Sequence, residues 1–389
     1  MARARRPISA RTSRPFKTLH QRTGIRYAVI GLGHIAQAAV LPGMAHAKDS
    51  VISALVSDDA VKLKTLARKY RVPEVSNYEY YDDLLRSGRI DAVYISLPND
   101  LHYDFAMRAL QAGIHVLVEK PMAISWQQCL EMIDAAQGSG ALLMVAYRLH
   151  FEQANLRALA LAQARKLGDL RFFSSTFSMQ VREGGIRTNP ESLGGGPLYD
   201  LGIYCINAAR GLFQAEPTEV TAFAARSDDQ RFAESDEMVS AIMRFPGERL
   251  ASFTASFGAA STAAYDLVGT NGSLRIDPAY EYEEELCQQL TIKGRTTEKI
   301  QPVGDQFAAE IAYFSRCIRE GRQPEPSGVE GLADVRLVEA IIESARSNQP
   351  VSIPPLNLAI ERPASNQAIS YPPSAKPKTI HVRLPHRDT

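Results

Sequence analysis

At 389 residues the chain is longer than one hydrophobic core comfortably organises, so two domains with tails are expected. Apolar residues make up 45% and charged residues 22%, the balance of a globular protein that folds in water. A formal net charge of +1 removes any global electrostatic case for nucleic acid or an anionic membrane as partner.

Residues 1–25 read as a basic arm, since positions 1–26 hold eight Arg/Lys and no acid. A solvated tail is the plain reading, with docking as its alternative. Arg5-Arg6 suggests a twin-arginine export signal, but 7–24 is mixed, basic and broken by Pro15. With no apolar core to such a signal, a cytoplasmic protein is expected. No apolar stretch approaches the roughly 20 residues of a membrane helix. Cys129, Cys205, Cys287 and Cys317 are far apart, with no C-x-x-C pair and no histidine cluster. Reduced thiols and no metal site follow.

Residues 26–30 form a short strand that runs into a glycine turn, and 35–47 read as the helix after it. Residues 51–56 are a second apolar strand, and 60–70 a helix with Leu63, Leu66, Ala67 and Tyr70 on one side. A third strand at 91–97, a helix near 103–112, a strand at 114–118, a helix at 125–137 and a strand at 141–145 complete the series. Strands apolar along their whole length, alternating with helices, predict a doubly wound parallel sheet over residues 27–148.

Beyond it the pattern changes. Residues 170–180, 218–226, 237–245, 249–256, 263–268 and 273–276 are strand-like with short connections. Pro246-Gly247-Glu248 and Thr270-Asn271-Gly272 supply turn chemistry. A largely antiparallel sheet is expected, flanked by helices at 196–213, 305–320 and 329–347. Past Val351 the chain is proline-rich and aperiodic, a tail without its own core.

Gly31-Leu32-Gly33-His34-Ile35-Ala36 opens a helix directly after a strand, the setting that gives a G-x-G-x-x-A motif its meaning. The first glycine allows a tight turn, the second lets backbone approach a pyrophosphate, and the helix amino terminus offers N–H groups to phosphate. An acidic residue at the end of the second strand would hold the ribose 2′-hydroxyl of NAD. That place reads Val56-Ser57-Asp58-Asp59, with Lys62 nearby. Ser57 can donate to a 2′-phosphate and Lys62 balance its charge, which favours NADP. Asp58 favours NAD unless it turns away. The bland alternative makes Ser57 and Asp58 a helix cap.

Glu119-Lys120-Pro121 lies at a strand's carboxyl end, where open parallel sheets hold ligands. A surface lysine in a loop is the plain alternative. Gly194-Gly195-Gly196-Pro197-Leu198-Tyr199-Asp200-Leu201-Gly202-Ile203-Tyr204 supplies a second cluster. Asp200 and Tyr204, four apart on a helix, share a face and could present a carboxylate and a phenol to one substrate. Leu97-Pro98-Asn99-Asp100-Leu101-His102 ends another strand. Its backbone would border the nicotinamide, with Asn99 or Asp100 capping the next helix and His102 structural. Tyr147-Arg148-Leu149-His150 points a guanidinium and an imidazole at the domain crevice.

With these residues placed, the chain resembles the glucose–fructose oxidoreductase/inositol dehydrogenase (Gfo/Idh/MocA) family over roughly residues 26–353. Gly31-Leu32-Gly33, Ala54-Leu55-Val56-Ser57, Asp91-Ala92-Val93-Tyr94-Ile95, Leu97-Pro98-Asn99 with His102, and Glu119-Lys120-Pro121-Met122-Ala123 carry the likeness. Gly194–Gly196 with Asp200-x-Gly202-x-Tyr204, and residues 331–345, continue it. Tyr204, where many members have histidine, resembles the glucose–fructose oxidoreductase branch.

The resemblance implies a Rossmann domain at 26–150 and a substrate and oligomerisation domain with a large, mostly antiparallel open sheet at 151–355. A tail follows at 356–389. It implies NADP, with NAD as the alternative, held by Gly31, Gly33, His34, Ile35, Ser57, Lys62, Leu97, Pro98, Asn99, His102, Glu119, Lys120 and Arg148. It also implies a pyranose sugar or polyol substrate and dimers or tetramers joined through the exposed sheet face. The basic arm would help cover a neighbouring subunit's cofactor. Two features depart from the pattern: Asp58 replaces a small residue, and no export leader precedes the arm.

The reaction expected is reversible hydride transfer at a sugar carbon bearing a hydroxyl, with Lys120 and Tyr204 sharing its proton and Asp200 orienting sugar or phenol. Lysine and tyrosine both titrate near pH ~10 unperturbed, so burial and mutual positive potential must lower one of them. The phenol is the better acid/base if Lys120 stays cationic. The alternatives are an NAD-dependent glycosidase of the same fold and a non-catalytic dinucleotide sensor.

Overall fold

A computed structural model of the chain describes residues 24–364, 367 and 369–382. All of the expected basic arm except Gly24 and Ile25 lies outside these residues. Six strands, β1 (Ile25–Ile30), β2 (Ser50–Val56), β3 (Glu74–Ser76), β4 (Ala92–Ile95), β5 (His115–Glu119) and β6 (Leu143–Ala146), form the first sheet. All are parallel, in the order β3-β2-β1-β4-β5-β6. The order reverses between β1 and β4, which opens a crevice at their carboxyl ends. Residues along β1, β4, β5 and β6 are buried almost without exception, as two covered faces require. The edge strand β3 escaped the sequence reading; three half-polar residues give no period.

The expected helix at 35–47 is helical from His34 to His46 but not uniformly α: a π-turn over Ala36–Val40 precedes α1 (Leu41–His46). Pro42 stands at the head of α1 and has no N–H to give to the turn before it, which explains the widening. Helices α2 (Ala60–Tyr70), α3 (Tyr81–Arg86), α4 (His102–Gln111) and α5 (Trp126–Ser139) complete the layers. Asp59, rather than Ser57 or Asp58, caps α2, accepting from the backbone N–H of Val61 and Lys62 at 3.0 Å each.

After α6 (Gln153–Gln163) come β7 (Leu170–Ser178), then α7 (Ile203–Phe213), then β8 (Glu219–Ala225), β9 (Met238–Phe245), β10 (Arg249–Ser256), β11 (Thr262–Gly269) and β12 (Gly272–Ile276). A polar hairpin, β13 (Leu286–Ile292) and β14 (Arg295–Gln301), was not expected; β14 is exposed on both faces and carries no apolar alternation. With β15 (Val351–Ser352) they make a nine-stranded sheet, β14-β13-β12-β11-β7-β10-β9-β8-β15. It is antiparallel except for β7 and β10, which run parallel.

One face of this sheet packs under α6, α7 and α9 (Gly328–Ser347) in a continuous apolar cluster. The other face leaves Phe172, Phe223, Met238, Ile242 and Leu250 exposed, with Phe172 and Leu250 neighbours across β7 and β10. α8 (Gln306–Glu320) returns to the parallel sheet, where Phe307, Ile311, Phe314 and Cys317 join Tyr27, Leu55 and Tyr94. The two sheets are thereby interlocked, which fixes the geometry of the crevice between them.

Candidate active site

β5 delivers Lys120 to the crevice. Its Nζ donates to Asp200 Oδ1 at 2.7 Å and to the Asp200 carbonyl at 2.8 Å, and lies 4.7 Å from the centre of the Tyr204 ring. The three residues expected to act together therefore meet, from two domains. Burial disfavours the lysine charge, but the Asp200 carboxylate and the Tyr204 oxygen outweigh it and raise its pKa above the ordinary lysine value. Lys120 therefore stays an ammonium ion.

Asp200 sits in a π-turn, Leu198–Gly202, that opens the helix continued as α7. Although burial opposes its charge, Arg187 and Lys120 hold its carboxyl well below the ordinary range. The Arg187 Nε donates to Asp200 Oδ2 at 2.5 Å. Arg187 was not foreseen, because it comes from an irregular loop with no periodic signal.

That loop is fixed by the glycine run. Gly194 and Gly196 have φ of +73° and +94°, and a Cβ on Gly194 would stand 2.8 Å from the Asn99 Cβ. The Asn99 amide donates to the Gly194 carbonyl at 2.7 Å, and the Gly196 N–H to the Arg187 carbonyl at 2.8 Å. Asn99 therefore clamps this glycine loop instead of capping α4, which has no side-chain cap.

Arg148 is buried with its guanidinium 5.0 Å from the Tyr204 ring centre and 5.1 Å from that of Tyr282. It donates to Gln306 Oε1 at 2.8 Å and to the Tyr280 carbonyl at 2.5 Å. Two cations thus flank one phenol. His102 is fully buried, its ring nitrogens 2.7 Å from the Pro121 carbonyl and 2.9 Å from that of Leu97. It ties the ends of β4 and β5 together and so positions Lys120, while burial lowers its pKa. The Glu119 carboxyl accepts from the Tyr94 hydroxyl at 2.9 Å, behind Lys120, and burial raises its pKa. His150 lies outside the crevice floor, bonded to Glu325 (2.8 Å) and Asn207 (2.7 Å).

The nucleotide side fits a dinucleotide. Gly31 has φ of +87°, and a Cβ there would stand 2.7 Å from the Ser96 carbonyl oxygen. A Cβ on Gly33 would meet open space, leaving room beside the helix that begins at His34 and Ile35 for a pyrophosphate. At the end of β2, Asp58 turns aside to accept from the Tyr78 backbone N–H at 3.1 Å. Ser57 accepts from the Asp59 N–H at 3.2 Å, and the Lys62 ammonium lies 3.9 Å from Asp59 Oδ2. Ser57 and Asp58 border an open hollow of about 570 Å³ beside this strand end. Leu97 and Pro98 follow β4 directly at the crevice. Among the described residues no group of His, Cys, Asp or Glu could hold a metal ion.

Two family models match: "Oxidoreductase family, NAD-binding Rossmann fold" over residues 25–147, and "GFO/IDH/MocA C-terminal domain" over residues 155–275. The D-xylose 1-dehydrogenase (NADP(+)) 2 of Haloferax volcanii is 31% identical over 84% of this chain and 99% of its own length. The crystal structure of aldose-aldose oxidoreductase from Caulobacter crescentus, complexed with glycerol, superposes with a TM-score of 0.81 at 34% identity. It covers 85% of this chain and all of its own. A 3-ketoreductase from Actinomadura kijaniata, in complex with NADP and TDP-benzene, gives 0.74 at 27% identity over 82% of this chain and 98% of its own.

Proposed function

The chain belongs to the Gfo/Idh/MocA oxidoreductase family, and on that premise we propose that it is an NADP-dependent oxidoreductase acting on a CH–OH group of a sugar. The observation that carries this reading is Lys120 reaching the Asp200 carboxylate and the Tyr204 ring at once, at the carboxyl end of β5. The relatives named as a D-xylose dehydrogenase and an aldose-aldose oxidoreductase support an aldose as the substrate class. NADP is supported by Asp58 turning aside while Ser57 and Lys62 stay at the strand end.

A bound nicotinamide would supply the hydride chemistry at the reacting sugar carbon. Gly31, Gly33 and the helix start at His34 and Ile35 would hold its phosphates, Ser57 and Lys62 would hold its 2′-phosphate, and Leu97, Pro98 and Lys120 would border its ring. In the reducing direction Tyr204 gives its phenolic proton to the carbonyl oxygen. Lys120 and Arg148, both against that ring, stabilise the negative charge left behind. In the oxidising direction the same oxygen takes the proton back. Asp200 and Arg187 keep the ammonium aimed, and Asn99 holds the loop that closes over it.

The decisive measurement is the near-ultraviolet absorbance of protein-bound NADPH before and after addition of a panel of aldoses, ketoses and polyols. A reversible change with one sugar is expected; bound nucleotide that no sugar alters would overturn the reading.

The apolar outer face of the nine-stranded sheet supports a homodimer or tetramer formed there. Ile242→Lys should lower the mass measured by light scattering to that of a smaller assembly. Four unpaired cysteines support a reducing, cytoplasmic setting.

A further inference from the structure

Residues 371–382 form no helix or strand, yet they are tied down at four places. The Asp305 N–H donates to the Tyr371 carbonyl at 3.1 Å, and Lys376 pairs with Glu283 at 2.8 Å. Further on, Ile380 exchanges two hydrogen bonds with the Gln37 side-chain amide, at 2.9 and 3.0 Å. His381 Nδ1 then lies 3.1 Å from Asp59 Oδ2.

The last two anchors belong to the nucleotide site. Gln37 follows the glycine turn by one helical turn: its N–H bonds the Gly33 carbonyl at 3.2 Å and its amide the Leu32 carbonyl at 2.9 Å. Beneath the segment it is buried. Asp59 caps α2 two residues beyond Ser57, and the Lys62 ammonium lies 3.9 Å from the same Oδ2 that His381 approaches. Ile380 and His381, at the end of the segment, thus bridge from the helix after the glycine turn to the end of β2. A dinucleotide in this fold covers the same span, from its pyrophosphate to its adenosine ribose. Tyr371 and Ile380 also pack on the apolar cluster of this sheet face, so the segment is docked and not merely draped.

We propose that residues 371–381 are a strap forming the outer wall of the NADP site, so that nucleotide leaves only when the strap lifts, and that His381 joins Ser57 and Lys62 around the ribose 2′-phosphate. This rests on the assignment of that site to NADP. The strap adds no reacting group; it governs how long the cofactor stays.

Full-length protein, a variant ending at Thr379, and Ile380→Pro are loaded with NADPH and mixed with excess NADP+ in a stopped-flow instrument. NADPH fluorescence reports release. Ile380→Pro removes the N–H that Gln37 accepts and keeps the Tyr371 and Lys376 anchors, so it tests the strap even if the shortened chain folds poorly. Release at least tenfold faster from both variants is expected. In equilibrium titrations His381→Ala should weaken NADPH severalfold more than NADH. Unchanged release from Ile380→Pro overturns the strap, and equal weakening of both nucleotides overturns the role of His381. A full-length protein that binds neither nucleotide would instead sink the NADP assignment itself.

Discussion

α7 and the turn that opens it carry two ion clusters, and they differ in what remains unsatisfied. Around Arg210 everything is closed. Its five N–H donors meet carboxylate oxygens of Glu216, Glu330 and Asp334, and the side chains of Arg210 and Asp334 are 0% exposed. Asn207 and His150 extend this network to Glu325, joining the two domains. Around Lys120 the cluster is open: Lys120, Asp200 and Arg187 are 10%, 20% and 29% exposed. Asp200 engages two of the three ammonium donors. A saturated cluster fastens the fold, whereas one with donor capacity facing a crevice can bind.

The sharpest way to break this contrast is Arg210→Ala, which strands buried carboxylates and should cost roughly 3–5 kcal/mol in denaturant unfolding. A loss within 1 kcal/mol would show that the closed cluster does not hold the domains. Tyr204→Phe should do the opposite, cutting turnover by on the order of 100-fold with little change in unfolding midpoint. Full activity in that variant removes the phenol from the chemistry.

His150 separates the clusters by pH. Burial disfavours its charge, yet the Glu325 carboxylate outweighs this and lifts its pKa from 6.5 to about 9. A raised folded-state value stabilises the fold fully below pH 6.5, and that contribution disappears as pH rises through 9. Stability should fall by about 2 kcal/mol between pH 7 and pH 10, and His150→Gln should flatten the decline. A decline of the same slope in both proteins would assign it elsewhere. The smallest effect expected is that of Asp200→Asn, about tenfold in turnover, or ~1.4 kcal/mol. Losing the carboxylate that raises the Lys120 pKa should also move the basic limb of the pH–rate profile to lower pH. An unmoved limb would mean that Lys120 does not report there.

The core of the parallel sheet was legible because β1, β4, β5 and β6 are apolar almost throughout, whereas the half-polar edge strand β3 carries no such signal. Lys120, Asp200 and Tyr204 were legible because a strand end and one helical turn fix them locally. Arg187 was hidden: only the glycine loop clamped by Asn99 brings it to Asp200. The β13–β14 hairpin was hidden because an exposed edge needs no apolar alternation. At Ser57-Asp58-Asp59 three adjacent residues could all cap, and only the path into α2 selects Asp59. The docking of the tail was invisible too, since it rests on scattered single contacts without periodicity, two of them through the backbone groups of Tyr371 and Ile380.

The π-turn at Leu198–Gly202 holds one more residue per turn than the α-helix that follows it. The wide turn takes up that extra residue, so the chain on either side keeps nearly the phase of an unbroken α-helix. Asp200 lies inside the widened turn and Tyr204 beyond it, in α7. Their mutual phase is thus set within one turn, and deleting a residue between them would change it although neither side chain had been altered.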